Sequence, residues 1–517
     1  MGELIGGVMR KFLIRSFGEA VHGCRIASLA MMKTPVNVVL CLAALTIFYE
    51  IIVVSVFAKE NIMLYADGGW FVFALSTGNP WILKWHEIAT RFTTYALTVW
   101  PVLKLSQEFN LSPTEIAVAN CLQFYGLQVA LTLWAYWLAR KVNPRLLVFP
   151  VTQTLLFSLL GWGFPSELLL GPGILWIILL TAVKNKGPTT LFLVGFAALI
   201  FTHELALPAA VIAGMLALYL QWRRTKANSR FWLAFGAMIA TFAAFLWVRM
   251  HGGGAGSDAN GIYVFDPRRV LNNPLLVPLV VGALLLRSTS KARWPLLLAL
   301  SCFGFAIVMA IGFGTPLNFD APRYGARTLI AIGMLVMAIL FVFAVLQSEV
   351  DRGRSSEQHQ IVGQGQFGLA KWLFLCLGLQ AGAIGVFVHD WMLSSAAESA
   401  WQSQEPAKPK VVAIAKAREG WAPAQRDASI RLQVEWSAPY RQFVLTNGHT
   451  PQVVLYDESK WYKPTGCLKQ DLIFGNASRF NAKDFTVWTS FTCTQAEPQR
   501  VDTLKDRLMR KIKNFLG

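Results

Sequence analysis

Apolar runs of about 20 residues recur along the chain from position 36 to position 388, separated by short polar segments. A helix of about 20 apolar residues is long enough to cross the hydrocarbon core of a bilayer. The pattern therefore predicts a polytopic membrane bundle. The runs fall near residues 36–57, 114–138, 146–161, 166–183, 188–203, 206–221, 230–249, 271–287, 294–313, 326–347 and 369–389, about eleven spans. Residues 88–105 are also apolar but carry Arg91 and Pro101. They predict a helix lying in the outer interface rather than another span. Beyond residue 390 hydropathy falls, and apolar residues alternate at 431–436, 442–445, 452–456, 471–474 and 485–490. This alternation predicts short strands, and residues 501–516 have the pattern of a basic amphipathic helix. The expected fold is an all-α polytopic membrane bundle with a long first outer loop carrying interfacial helices, followed by a small α+β C-terminal domain. The expected boundaries are 1–35 for a basic leader, 36–390 for the membrane domain and 391–517 for the outer domain.

Charge gives this bundle an orientation. With the N-terminus inside, Arg140, Lys141 and Arg145 fall on the cytoplasmic side, as do Lys184 and Lys186, and Arg223, Arg224 and Lys226. Arg287, Lys291 and Arg293 follow, then Arg352 and Arg354. Every inner loop is then basic, which is the positive-inside pattern. The leader, with Arg10, Lys11, Arg15, Arg25 and Lys33, is expected to lie partly on the membrane surface as an amphipathic helix. The C-terminal domain is placed outside, and a bacterial inner membrane is the expected setting. Charged residues make up only 15% of the 517 and hydrophobic residues 55%, which excludes a string of soluble domains. The net charge of +18, from 47 basic and 29 acidic residues, is accounted for by the inner loops, so nucleic acid is not an expected partner. Membrane lipids are.

Cys24, Cys41, Cys121, Cys302 and Cys376 fall in the leader or the spans without metal-ligand spacing and are expected to pack as small apolar residues. Cys467 and Cys493 are the pair in the tail. An outer, oxidising compartment predicts a disulfide between them. No internal repeat is visible and the spans hold few ionisable residues, which weighs against a secondary transporter, a proton pump or a voltage sensor.

Polar chemistry gathers on the outer side. Residues 58–113 form the longest loop between spans and hold Asp67, His86 and Arg91. Asp67 stands in Tyr65-Ala66-Asp67-Gly68-Gly69-Trp70, where it reads either as a general base at the membrane face or as a turn aspartate. His203-Glu204 sits at an outer hairpin, as a ligand-contacting pair or as a solvated turn. Arg323, Tyr324 and Arg327 lie in a dense charged segment before a late span. Arginines four apart share a helix face and suit a lipid phosphate; headgroup snorkelling is the plain alternative. The glycine-rich stretch 251–258 lacks the Gly-Lys-Ser/Thr ending of a P-loop.

This set resembles the GT-C superfamily of integral-membrane glycosyltransferases over about residues 36–390. The resemblance rests on the span count and the long first outer loop. Within that loop it rests on Asp67 and on Arg91 before Tyr95 and Pro101, and beyond it on His203-Glu204 and Arg323-Tyr324. It implies a sugar donor carried on polyprenyl phosphate and a lipid or envelope-glycan acceptor. It implies Asp67 as the residue that deprotonates or orients the acceptor hydroxyl, with His203 and Glu204 assisting. Arg91, Arg323, Tyr324, Arg327 and His86 would bind substrate, the arginines holding the departing lipid phosphate. Many members carry a paired acidic motif where Asp67 here is followed by Gly68 and Gly69. No organic cofactor is called for, and a divalent metal stays open. The alternative reading is non-enzymatic: a transporter or flippase, or a scaffold subunit of an envelope-assembly complex.

Overall fold

The computed structural model describes residues 31, 34–65, 67–76, 89–162, 166–251, 322–351, 366–403, 410–432, 441, 444–445 and 453–456. These residues are overwhelmingly helical. Seven helices are long and apolar enough to cross a membrane: Val36–Lys59, Pro113–Val142, Glu167–Asn185, Glu204–Thr225, Ser229–Met250, Ile330–Ser348 and Cys376–Ala400. All seven coincide with expected spans. The runs at 271–287 and 294–313, the pair Cys467 and Cys493, the strands at 471–474 and 485–490 and the helix at 501–516 lie outside the described residues, as does most of the leader.

The first helix, α1 (Val36–Lys59), leads through a 3-10 turn at Ile62–Leu64 into α2 (Asp67–Ser76). A broken helical run follows from 89 to 109, ending in α3 (Trp100–Phe109). Its irregularity has a local cause. Pro101 has no N–H to give the carbonyl four residues back, and the turn at Tyr95–Val99 widens to π geometry. Gln123 of α4 (Pro113–Val142) supplies the missing donor, its Nε2 reaching Leu97 O at 2.6 Å. The run packs against α4 and buries its first turn, while Phe92, Leu97, Trp100, Leu105 and Phe109 stay exposed. Ser112 starts α4 through a capping box with Glu115.

Two expected spans are short. α5 (Val148–Trp162) has 15 residues and α7 (Thr190–Ile200) has 11. At 1.5 Å per residue α7 is only about 16 Å long, so it does not cross a bilayer by itself. Between them lies α6 (Leu170–Asn185), the central helix, buried almost continuously from Leu170 to Ala182. It packs against α4, α7 and α8 (Leu207–Thr225). Gly173 makes the α4 contact possible: a Cβ there would lie 2.6 Å from that of Leu131. α9 (Ser229–His251) turns Trp232, Leu233, Ile239, Leu246 and Trp247 outward, the apolar face expected of a helix in contact with lipid. α10 (Pro322–Asp351) runs parallel to α6, since Met334 lies over Gly171 and Phe341 against Trp176.

The last span does not stop where the hydropathy falls. α11 (Gln366–Ser403) continues unbroken past Asp390, and its extension forms a joint with the first loop. Trp391 Nε1 donates to Glu60 O at 2.8 Å, and Tyr65 Oη donates to Leu432 O at 3.2 Å. Arg431, in α12 (Pro423–Leu432), forks onto Asp390 at 2.6 and 2.7 Å. Arg441 pairs with the buried Glu398 and lies 5.3 Å over the Trp391 ring. The tail also holds a parallel pair of strands, β1 (Lys410–Ala413) with β2 (Val453–Tyr456); β2 falls on the run predicted at 452–456. At 431–432 and 444–445 the chain is helical instead. Ala428, Ser429 and Leu432 bury one helical face, a spacing that alternation alone does not separate from a strand over so few residues.

Candidate functional site

Two spans open in the same way. Ser166 caps the 3-10 turn Glu167–Leu169, its Oγ accepting from Leu168 N–H at 3.4 Å. His203 caps the turn Glu204–Ala206, its Nδ1 accepting from Leu205 N–H at 3.2 Å. In each, a capping side chain is followed by a glutamate on the first helical position, where the helix dipole favours negative charge. A third segment, the turn Ala89–Arg91, is stitched to both. Thr93 N–H donates to Phe201 O at 3.1 Å, and Thr94 Oγ1 donates to Glu167 O at 3.2 Å.

Arg91 closes the cluster. Its Nη1 lies 2.9 Å from Glu167 Oε1 and its Nη2 lies 3.0 Å from Glu204 Oε1. Its Nε reaches Glu204 Oε2 at 3.4 Å. Arg91 is only 4% exposed and Glu167 only 6%. A planar fork suits this bridging of two carboxylates. His203 Nδ1 is 3.4 Å from Glu204 Oε2. The same nitrogen caps the turn by accepting the Leu205 N–H, so the ring stands as a cap beside the Glu204 carboxylate. In the turn at Tyr95–Val99, burial pushes the Tyr95 phenol above its usual range.

The structure thus joins Arg91, His203 and Glu204 and adds Glu167, which the sequence reading does not single out. The signal that singles it out is the repeated pattern of cap, glutamate and leucine in Ser166-Glu167-Leu168 and His203-Glu204-Leu205. For the other candidates the backbone gives placement alone. Asp67 is the first residue of α2, and Arg323, Tyr324 and Arg327 lie in the first turns of α10; their side chains are outside the description, and His86 is outside the described residues. α2 and the broken run 89–109 pack on the same stretch of α4, through Phe71 on Phe124 and Leu97 on Gln123. α10 passes beside both glutamate turns. With Met334 over Gly171, its Arg323–Arg327 turn stands by register at the end of the bundle that holds Glu167.

As a metal site this set fits poorly. A guanidinium already bridges the two carboxylates, and among the described residues no group of His, Cys, Asp and Glu is arranged to hold an ion. Among the described residues Cys41, Cys121 and Cys376 are free thiols in the helices. Compared with protein-family models, with curated proteins and with solved structures, the chain matches none.

Proposed function

We propose that the protein is an integral-membrane glycosyltransferase of the GT-C kind. It would move a sugar from a polyprenyl-phosphate donor to a lipid or glycan acceptor on the outer face of a bacterial inner membrane. One observation carries this reading: Arg91, Glu167, His203 and Glu204, from three distant segments, meet at one end of the bundle. By backbone register, α2, which begins at Asp67, packs beside Phe124 of α4, and the first turns of α10, with Arg323 and Arg327, lie toward the same end as Gly171. Under the positive-inside orientation that end faces outward, where a lipid-linked donor presents its phosphate at the bilayer surface.

In this reading the residues divide their work. Asp67 takes or orients the proton of the acceptor hydroxyl. Arg323 and Arg327, with Tyr324, receive the departing phosphate and stabilise its charge. Arg91 has another part. Its Nε, Nη1 and Nη2 each already donate to Glu167 or Glu204, and the residue is only 4% exposed, so it is poorly placed to receive a phosphate. It braces the two turns and holds the floor of the site, with His203 lining it. A donor with a long apolar tail and a polar head suits an interface of this kind, where positioning and charge stabilisation supply the rate.

The Arg91 fork, held between two carboxylates, also favours a second reading, in which the cluster is a brace within a scaffold subunit of an envelope-assembly complex. A photoreactive polyprenyl-phosphate sugar separates the two. The transferase reading expects crosslinks in peptides covering 67–76, 89–94 and 322–330, suppressed by unlabelled donor. Crosslinks spread without competition along the lipid-facing surface of α9 would support the scaffold.

A further inference from the structure

The buried stripe of α1 repeats every three or four residues: Val39, Leu42, Ala43, Thr46, Glu50, Val53, Val54 and Phe57. Two of these are polar. Thr46 satisfies its hydroxyl by donating to Leu42 O at 2.7 Å. Glu50 has no such outlet. It is 0% exposed, and neither carboxyl oxygen has a hydrogen-bond partner among the described residues. It sits near the middle of a 24-residue span, in the seam that α1 makes with α4, α5 and α11.

The groups around this carboxyl are hydroxyls. Tyr49 adjoins it on α1, and Tyr136 of α4 lies within electrostatic reach of it, with Thr46 and Thr154 beside the Tyr136 hydroxyl. The Tyr49 hydroxyl is itself buried without a partner among the described residues. On α5, Thr154 donates within its own helix to Pro150 O at 3.0 Å. On α11, the Gln380 amide donates to Leu155 O. Arg145, in the turn that follows α4, is exposed. No described cation therefore offsets a charge on Glu50.

An ionised carboxylate without a partner in an apolar interior costs several kcal/mol or more. A divalent cation asks for about six oxygen ligands, more than one carboxyl and two phenols provide. A proton is the ligand that removes the charge at least cost. We propose that Glu50 is a proton-binding site inside the bundle, a carboxyl that carries its proton in the closed seam between α1 and α4 and releases it only when water or a base enters. The proposal stands apart from the glycosyl-transfer reading, because it concerns a different part of the bundle and needs no sugar donor.

Infrared difference spectroscopy of the full chain in lipid nanodiscs tests it, with wild type against Glu50→Gln at neutral pH. The expected result is a protonated-carboxyl C=O band in wild type, sensitive to exchange into heavy water and missing from the variant. The neutral amide has the shape and charge of the neutral acid, so the variant is also expected to melt within a few degrees of wild type. Carboxylate bands in place of the acid band would overturn the proposal. So would a Glu50→Gln protein that fails to fold or melts far lower, since that is the behaviour of an ionised residue deprived of a cation.

Discussion

Arg91 shows what a single residue contributes to this bundle. It bridges two glutamates that lie 76 and 113 positions away in sequence. Removing one member of a buried ion pair commonly costs about 3–5 kcal/mol, because the remaining charge stays buried and unpaired. Arg91→Ala should therefore lower the thermal midpoint markedly. Arg91→Lys should lie between, because an ammonium keeps the charge but not the fork. Thermal unfolding in detergent checks both; equal midpoints for all three proteins would mean that the fork does not hold the turns together. The sequence points to Arg91 and to His203-Glu204 one at a time, from charge in an apolar setting. It does not show their pairing, because contacts over such separations leave no trace in periodicity. Glu50 escapes the sequence reading for another reason: one carboxyl barely changes the hydropathy of a 24-residue apolar run, and burial depends on the neighbouring helices.

At the scale of elements, the joint between first loop and tail decides where α2 begins. Gly69 sits in its first turn. A Cβ there would lie 2.7 Å from the backbone oxygen of Leu64 and 3.6 Å from Arg441 Cγ. A backbone atom in a packed turn has little room to yield, so Gly69→Ala should displace the start of α2. Gly126→Ala on α4 is the control, since nothing lies within 4 Å of its added methyl. Arg441→Ala leaves Glu398 buried without its guanidinium and takes the cation from the Trp391 face. Hydrogen exchange read on peptides covering 60–76 should rise in Gly69→Ala and Arg441→Ala and stay unchanged in Gly126→Ala. Unchanged exchange in Arg441→Ala would show that the tail does not position the first loop. The sequence predicts separate loop and tail elements and places β2 correctly. It does not foresee α11 running on past Asp390, because polar residues that the extension buries, Asp390, Ser394 and Glu398, lower its hydropathy without ending the helix.

For the whole molecule, hydropathy alone was enough to place all seven candidate spans among the described residues. It failed on span length at α7, where the apolar run continues through Phe201 to the His203 cap but the helix ends at Ile200. Orientation is a separate claim, carried by the basic loops. In a chain with its native cysteines removed, Asn110→Cys should react with a membrane-impermeant maleimide in intact spheroplasts. Lys186→Cys should react only after lysis. The reverse pattern would turn the bundle over and put the Arg91 cluster on the cytoplasmic side.

The most direct test of the central claim is turnover. Purified full-length protein, wild type beside Asp67→Asn, would be given a panel of radiolabelled polyprenyl-phosphate sugars in nanodiscs, and label released from the lipid would be counted. The account predicts transfer or donor hydrolysis by wild type from at least one donor. It predicts a loss of 100-fold or more in a folded Asp67→Asn protein, on the order of the contribution of a general base. No release from any donor, with the two proteins binding donor equally, would contradict it and leave the braced cluster as part of a scaffold.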